Sequence, residues 1–243
     1  MIMKKSMKRK TMIQKTTSDD WTVAERKLLK SLSSPQKLQS FIDDLKPNFE
    51  PDGDECRSPR TVLRTGKAHC IEAAMFAAMV LRMQGRKAFL LDLMANRKDD
   101  DHVLALFRDP KTKAWGAIAK SNHYCNGYRD PVYKTLRELA MSYFHEYLNY
   151  AGEKTLRSFA GPLDLRQFDG ADWMTRNQSV WEIPNALVAL PHTSLLTRAQ
   201  ERNLRPADEF VRRINNITRF DPETGEPFMP AQGIRRSKGN RNM

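Results

Sequence analysis

Cys70 has the clearest potential for chemistry in this sequence, because it stands just before a long apolar stretch. No residue from 73 to 81 is polar, so we expect a helix that is buried on nearly every side. Cys70 would lie in its first turn, where unpaired N–H groups and a partial positive charge favour the thiolate over the thiol. We therefore take Cys70 as the candidate nucleophile.

His102 is the candidate base, because a thiol nucleophile needs a group that takes its proton. It opens an apolar run of strand length that ends at residue 107. The three residues before it, Asp99, Asp100 and Asp101, would favour its protonated form. The sequence therefore predicts a thiolate–imidazolium pair between Cys70 and His102.

A third residue would orient the imidazole, and the hairpin after His102 supplies the first candidate. A simple hairpin pairs Arg108 with Ala114. His102 then lies opposite Lys120, and Asn122 falls diagonally on the same face of the sheet. An asparagine can hold an imidazole by accepting from its N–H, so we take Asn122 as the third member of the site.

Two other residues remain open for this orienting role. A shift of the hairpin register by one residue would substitute Ser121 for Asn122. Asp130 is a more distant candidate on a later loop. The backbone N–H of Cys70 is the natural first donor to an oxyanion, and the sequence does not identify the second donor.

A structural cysteine is the plainer alternative for Cys70, since free cysteines are often buried without chemistry. The other two cysteines, Cys56 and Cys125, complete neither a disulfide framework nor a CxxC metal motif. His123 and Cys125 supply only two metal ligands in a short loop, which is too few for zinc. We therefore expect neither a metal nor a cofactor.

The hydrophobic pattern around Cys70 predicts an α+β arrangement. Two amphipathic helices occur before residue 47, and a long loop follows to residue 66. After the buried helix, apolar runs at 88–94, 102–107 and 114–119 are typical of an antiparallel meander. Residues 132–150 look helical, and prolines break the later region into short pieces.

The positive charge of the chain is concentrated at its two ends. The net charge is +12, and residues 1–18 and 231–243 together hold ten Lys and Arg and no acid. Only about +2 is left for everything between them, which does not indicate a basic nucleic-acid-binding face. Weak, salt-sensitive contact with polyanions through these ends is the most that the charge predicts.

These patterns divide the chain into three parts. We predict a disordered basic arm at 1–17, a single domain at 18–225 and a disordered basic tail at 226–243. The N-terminus lacks the apolar core of a signal peptide, and no apolar stretch approaches the roughly 20 residues that a bilayer requires. We therefore expect a cytoplasmic protein with no membrane contact.

The residues around Cys70 also resemble a known family. They occur in the order Gly66, Cys70-x-Glu72-Ala73, Leu81-Arg82, Gly85-Arg86-x-Ala88, Asp101-His102 and a strand that contains Trp115. This order and spacing resemble the transglutaminase-like superfamily, over about a quarter of the chain. The resemblance implies a papain-like core, with the cysteine on a buried helix and the histidine on an antiparallel sheet. It departs from the family near Ala119, where the family's aspartate is expected and no carboxylate occurs.

The resemblance implies a thiol-dependent hydrolase or acyltransferase that acts on amide or peptide carbonyls. Cys70 would attack the carbonyl of a peptide or protein substrate, and water or an amine would resolve the acyl-enzyme. The family also includes members that have lost activity, and the missing carboxylate favours that alternative. A transglutaminase-like binding module without catalysis is therefore the second hypothesis.

Overall fold

The computed structural model describes residues 21–50, 53–87 and 89–227. The basic arm predicted at 1–17 lies outside these residues, as does all of the predicted tail except residues 226 and 227. Within the described ranges, no helix has the length and apolar character needed to cross a bilayer.

Eight α-helices, one 3-10 helix at Leu165–Ala171 and eight strands make up the described fold. The helices are α1 Val23–Ser31, α2 Pro35–Asp44, α3 Pro59–Thr65, α4 Cys70–Met83, α5 Leu136–Met141, α6 Glu182–Val188, α7 Arg198–Arg202 and α8 Glu209–Asn215. The strands are β1 Lys46–Pro47, β2 Lys67–Ala68, β3 Phe89–Ala95, β4 His102–Arg108, β5 Trp115–Ile118, β6 Arg129–Tyr133, β7 Leu156–Asp164 and β8 Thr193–Ser194.

Six of the strands form one antiparallel sheet, in the order β6-β5-β4-β3-β7-β8. The strands β1 and β2 form a small parallel pair beside it. Helices and an antiparallel sheet in one chain confirm the predicted α+β class.

The central strands of the sheet, β3, β4 and β5, are buried on both faces. Helix α4 packs on one face, together with Val103, Ala105 and Phe107 of β4. The alternate residues Leu104 and Leu106 belong to a second cluster on the opposite face, which includes residues of α5. Because successive side chains of a strand point to opposite faces, these two clusters define what lies on the α4 side and on the α5 side of the sheet.

Helix α4 begins at Cys70 as predicted, and its side chains from residue 72 to residue 81 are all buried. The helix ends at Met83, and Gly85 takes the left-handed conformation that often follows a helix. Its burial therefore fixes the position of Cys70 relative to the sheet.

Three segments differ from the sequence prediction. Helix α3 lies in the expected loop before residue 66, where Ser58 caps it and Pro59 takes its first position. The expected helix at 132–150 is instead the end of β6, then α5 and a series of turns. Strand β7 was not predicted, because its mixed side chains show no clear alternation of polar and apolar residues. It pairs with β3.

The hairpin between β4 and β5 is shifted by one residue from the predicted register. Arg108 pairs with Trp115 instead of Ala114. The N–H of Asp109 donates to the carbonyl of Ala114, and Lys113 has a positive φ of 61°. This left-handed residue lengthens the loop, so the register prediction was wrong by one position.

We expect the burial of α4 to dominate the stability of the fold. Met79 is fully buried and Met83, one turn later, is 50% exposed. Met79→Ala should lower the free energy of unfolding by about 2–5 kcal/mol, since it leaves a cavity in the core. Met83→Ala should lower it by about 0.5 kcal/mol or less. Urea denaturation of both variants measures the difference, and equal losses would contradict this arrangement.

Candidate functional site

Cys70 is the first residue of α4 and is partly exposed. The buried carboxylate of Glu72 holds this end of the helix, because it accepts hydrogen bonds from the N–H groups of His69 and Arg57, each at 2.7 Å. The side chain of Asn48 donates to the same carboxylate at 3.4 Å. The position of the thiol is therefore fixed both by the core and by a buried capping carboxylate.

The thiol of Cys70 is protonated at neutral pH, contrary to the sequence prediction. Burial raises its pKa above the ordinary value, and the nearby carboxylates of Asp92 and Glu72 raise it further. The backbone N–H groups of Val103 and Ile71 act in the opposite direction but do not compensate. The expected thiolate is absent because desolvation of the sulfur outweighs the positive end of the helix.

His102 lies at the start of β4, and its side chain is buried. Its neighbour Val103 faces α4, so strand alternation places His102 on the α5 side of the sheet. Nε2–H of His102 donates to the carbonyl of Asn126 at 2.9 Å. Among the described contacts, no hydrogen bond joins this imidazole to the thiol of Cys70.

The prediction that His102 is a protonated imidazolium is also wrong. Burial lowers the pKa of His102 to about 4, and the positive charge of Arg129 adds to this effect. Asp99, Asp100 and Asp101, which precede His102, do not reverse this lowering of the pKa. At neutral pH the imidazole is therefore uncharged, and its hydrogen bond to Asn126 fixes the proton on Nε2.

The three candidate orienting residues lie elsewhere. Asn122 is bound to the C-terminal segment, since its side chain donates to the carbonyl of Phe220 at 3.0 Å and accepts from the N–H of Phe220 at 2.8 Å. Ser121 accepts from the N–H of His123. Asp130 is exposed on β6, which is the edge strand of the sheet. None of the three has a described hydrogen bond to His102.

A different histidine lies on the α4 side of the sheet. Nε2 of His192 is 3.2 Å from Oδ2 of Asp92. Asp92 is directly opposite Val103 on β4 and Ala160 on β7. Continuing the pairing of β7 with β8 by one residue brings His192 beside Ala160. The small side chain of Ala160 leaves room for the imidazole to reach Asp92.

The pair of Asp92 and His192 has the arrangement that a general base requires. The side chain of Asp92 is 4% exposed and that of His192 is 19% exposed, so only the imidazole is open to solvent. Because Nε2 faces the carboxylate, Nδ1 is the nitrogen that can accept a proton. Burial raises the pKa of Asp92, and the hydrogen bond from His192 partly offsets this rise.

Asp92 and His192 lie on the side of the sheet that helix α4 covers, and Cys70 is the first residue of that helix. The charge of Asp92 acts on the thiol, and Val103, the strand partner of Asp92, directs its N–H toward the sulfur. No hydrogen bond joins the thiol to His192 among the described contacts. Asp92 and His192 are 100 residues apart in sequence, and no spacing or periodicity in the sequence indicates that they meet.

The other potentially reactive groups do not extend this site. Burial raises the pKa of Cys56 to about 12 and that of Cys125 to about 11, so both remain thiols. Within the part of the chain that the structure describes, no three His, Cys, Asp or Glu residues are grouped in a way that could hold a metal ion.

Comparisons with known proteins give no family for this chain. No protein-family model matches it, and no curated protein matches it significantly.

The low pKa of His102 should appear in the pH dependence of stability. The imidazole takes up a proton near pH 6.5 when unfolded but only near pH 4 when folded. The unfolded state therefore binds more protons between these values, and stability falls as the pH decreases through this range. Acidification from pH 7 to pH 5 should cost about 2 kcal/mol through this residue.

Urea denaturation of His102→Gln at both pH values tests this contribution, since Gln can still donate to Asn126. On acidification, the free energy of unfolding of the variant should fall by about 2 kcal/mol less than that of the parent. His145→Gln, which changes an exposed histidine, is the matched control and should behave as the parent does. An unchanged pH dependence in His102→Gln would show that His102 is not a buried neutral imidazole.

Proposed function

We propose that this chain is a thiol-dependent hydrolase or acyltransferase that acts on amide or peptide carbonyls. Cys70 is the nucleophile, and His192, oriented by Asp92, is the base. The observation that carries the proposal is the hydrogen-bonded pair of Asp92 and His192 on the face of the sheet where α4 places Cys70. A peptide or protein with an accessible amide group is the expected substrate.

The protonated thiol is compatible with this chemistry. Nδ1 of His192 takes the proton from the sulfur as the sulfur attacks the carbonyl carbon, so no free thiolate has to exist beforehand. The carboxylate of Asp92 stabilises the imidazolium that results. This step requires the thiol and the imidazole to come within hydrogen-bonding distance when substrate binds, and catalytic hydrogen bonds are often long before substrate is bound.

The reaction then proceeds in two halves. A sulfur–carbon bond forms, and the imidazolium returns its proton to the leaving amine as the amide carbon–nitrogen bond breaks. Water or a second amine next attacks the thioester, gives its proton to His192 and releases the sulfur, which recovers that proton. The backbone N–H of Cys70, at the first position of α4, is free of helical hydrogen bonding and is the first donor to the oxyanion.

A binding module without catalysis is the second candidate. The raised pKa of Cys70 favours it, because a sulfur that is held as a thiol reacts slowly. The neutral His102 on the other face of the sheet favours it as well. In this case the hydrogen bond between Asp92 and His192 would be only structural.

A reducing compartment such as the cytoplasm is part of the proposal. Cys56, Cys70 and Cys125 are all unpaired thiols in the structure. A catalytic thiol must also stay reduced to act.

Acylation by p-nitrophenyl acetate tests the catalytic role of Cys70 without knowledge of the substrate. The parent should release nitrophenolate and carry one acetyl group on Cys70, as measured by absorbance and peptide mass spectrometry. His192→Gln should slow the acylation about 100-fold or more, because it removes the base. His102→Gln should leave the rate within about twofold, since that imidazole lies on the other face.

Two other outcomes would contradict the proposal. If Cys70→Ala releases nitrophenolate as fast as the parent, the chain is not a thiol enzyme and the binding module is favoured. If His102→Gln is as slow as His192→Gln is expected to be, His102 is the base and our assignment of His192 fails. Far-UV circular dichroism of each variant checks that it is folded.

A further inference from the structure

A cavity lies at the opposite end of α4 from Cys70. Its volume is about 310 Å³. It is formed by the end of α4, the connection to β3 and the hairpin between β4 and β5, with the lining residues Gln84, Arg86, Lys87, Phe89, Arg108 and Trp115 among others. The 14 residues of α4 place it roughly 20 Å from Cys70. It is therefore separate from the proposed thiol site.

Three cations surround this cavity, and none of its lining residues is acidic. Arg86 donates to the backbone carbonyl of Arg108 at 3.1 Å. Within the described ranges, Arg86, Lys87 and Arg108 form no ion pair with a carboxylate. The charge of Lys87 also acts on the carboxylate of Asp164, which is the strand partner of Phe89. The guanidinium groups of Arg86 and Arg108 are therefore the charges most available to an anionic ligand, and such groups can bind phosphate oxygens in a bidentate manner.

Aromatic rings complete the cavity. The guanidinium of Arg108 lies 4.2 Å from the ring centroid of Trp115, which orients it over one face of the indole. Phe89 meets Trp115 edge to face, with 6.2 Å between the ring centroids. These planar groups offer stacking surfaces to a planar ligand, and a nucleobase stacks on either an aromatic ring or a guanidinium.

A buried acceptor without a partner is the last feature. Oε1 of Gln84 is buried and accepts no hydrogen bond among the described residues, while its amide nitrogen donates to the carbonyl of Leu32 at 2.6 Å. A buried polar atom without a partner costs free energy unless a ligand or water satisfies it. Oε1 itself has almost no accessible surface, so Gln84 has to shift slightly toward the cavity before an N–H of a ligand can satisfy it.

We propose that this cavity binds a nucleoside monophosphate. Its phosphate, which carries nearly two negative charges at neutral pH, contacts Arg86, Lys87 and Arg108. Its base stacks within the aromatic wall and donates an N–H to Gln84. The volume suits one nucleotide and not several. This proposal does not depend on the thiol chemistry at Cys70.

Isothermal titration calorimetry of the full chain at low salt tests the proposal, with adenosine monophosphate as the probe. One equivalent should bind, and inorganic phosphate and adenosine should each bind at least about tenfold more weakly. The terminal nucleotide of a strand has the same chemistry. A 5′-phosphorylated hexanucleotide that binds more tightly than the mononucleotide, and loses affinity in the variants below, would identify a strand end as the source.

Two variants remove different parts of the cavity. Arg108→Gln removes a charge that contacts the phosphate, and Trp115→Leu removes the stacking surface; each should weaken binding at least about tenfold. Arg213→Gln, which changes an exposed arginine on α8, is the charge-matched control and should stay within about twofold of the parent. Arg108 is exposed, so its replacement leaves a usable variant even if Trp115→Leu does not fold.

Three results would overturn the proposal. The first is the absence of binding by the parent. The second is binding of inorganic phosphate as tight as that of the nucleotide, since the ring would then contribute nothing. The third is equal affinity in the parent, Arg108→Gln and Trp115→Leu, which would assign the binding to charges elsewhere on the chain.

Discussion

The packing of α4 against one face of the antiparallel sheet is the constraint on which the rest of this structure depends. The helix is apolar on all sides, so it has to be covered everywhere, and its N-terminus is held by the buried carboxylate of Glu72. This burial places Cys70 at a fixed point beside the sheet. The same burial raises the pKa of its thiol. Burial of this end of α4 therefore both fixes the position of the thiol and keeps it protonated. Any chemistry at Cys70 then requires a base that removes the proton during the reaction.

Strand alternation decides which side chains can serve that thiol. A strand that begins with His102 presents Val103 to α4 and His102 to the other face. On the α4 face the polar residue of the neighbouring strand is Asp92, and its partner His192 comes from the segment just before the edge strand β8. The candidate site on the α4 face therefore contains Asp92 and His192, whereas the sequence alone predicts that His102 serves Cys70.

Several elements could be predicted from the sequence because their signals are local. The uniform apolarity after Cys70 indicated the extent of α4, and the three apolar runs that follow the helix indicated β3, β4 and β5. Helix α3 was missed although Ser58, Pro59 and Gly66 mark its two ends, since seven residues show little periodicity. The hairpin register depended on the left-handed conformation of Lys113, which its residue type does not favour. The contact between Asp92 and His192 could not be predicted at all, because it exists only after β7 and β8 have joined the sheet.

Cross-linking with 1,3-dibromoacetone tests most directly whether His192 serves Cys70. The sulfur displaces one bromide, and a nearby imidazole nitrogen displaces the other, so the three-carbon bridge records which histidine can approach the thiol. Peptide mass spectrometry identifies the bridged residues. We expect a bridge between Cys70 and His192. A bridge between Cys70 and His102, or a modified Cys70 that forms no bridge to any histidine, would contradict it.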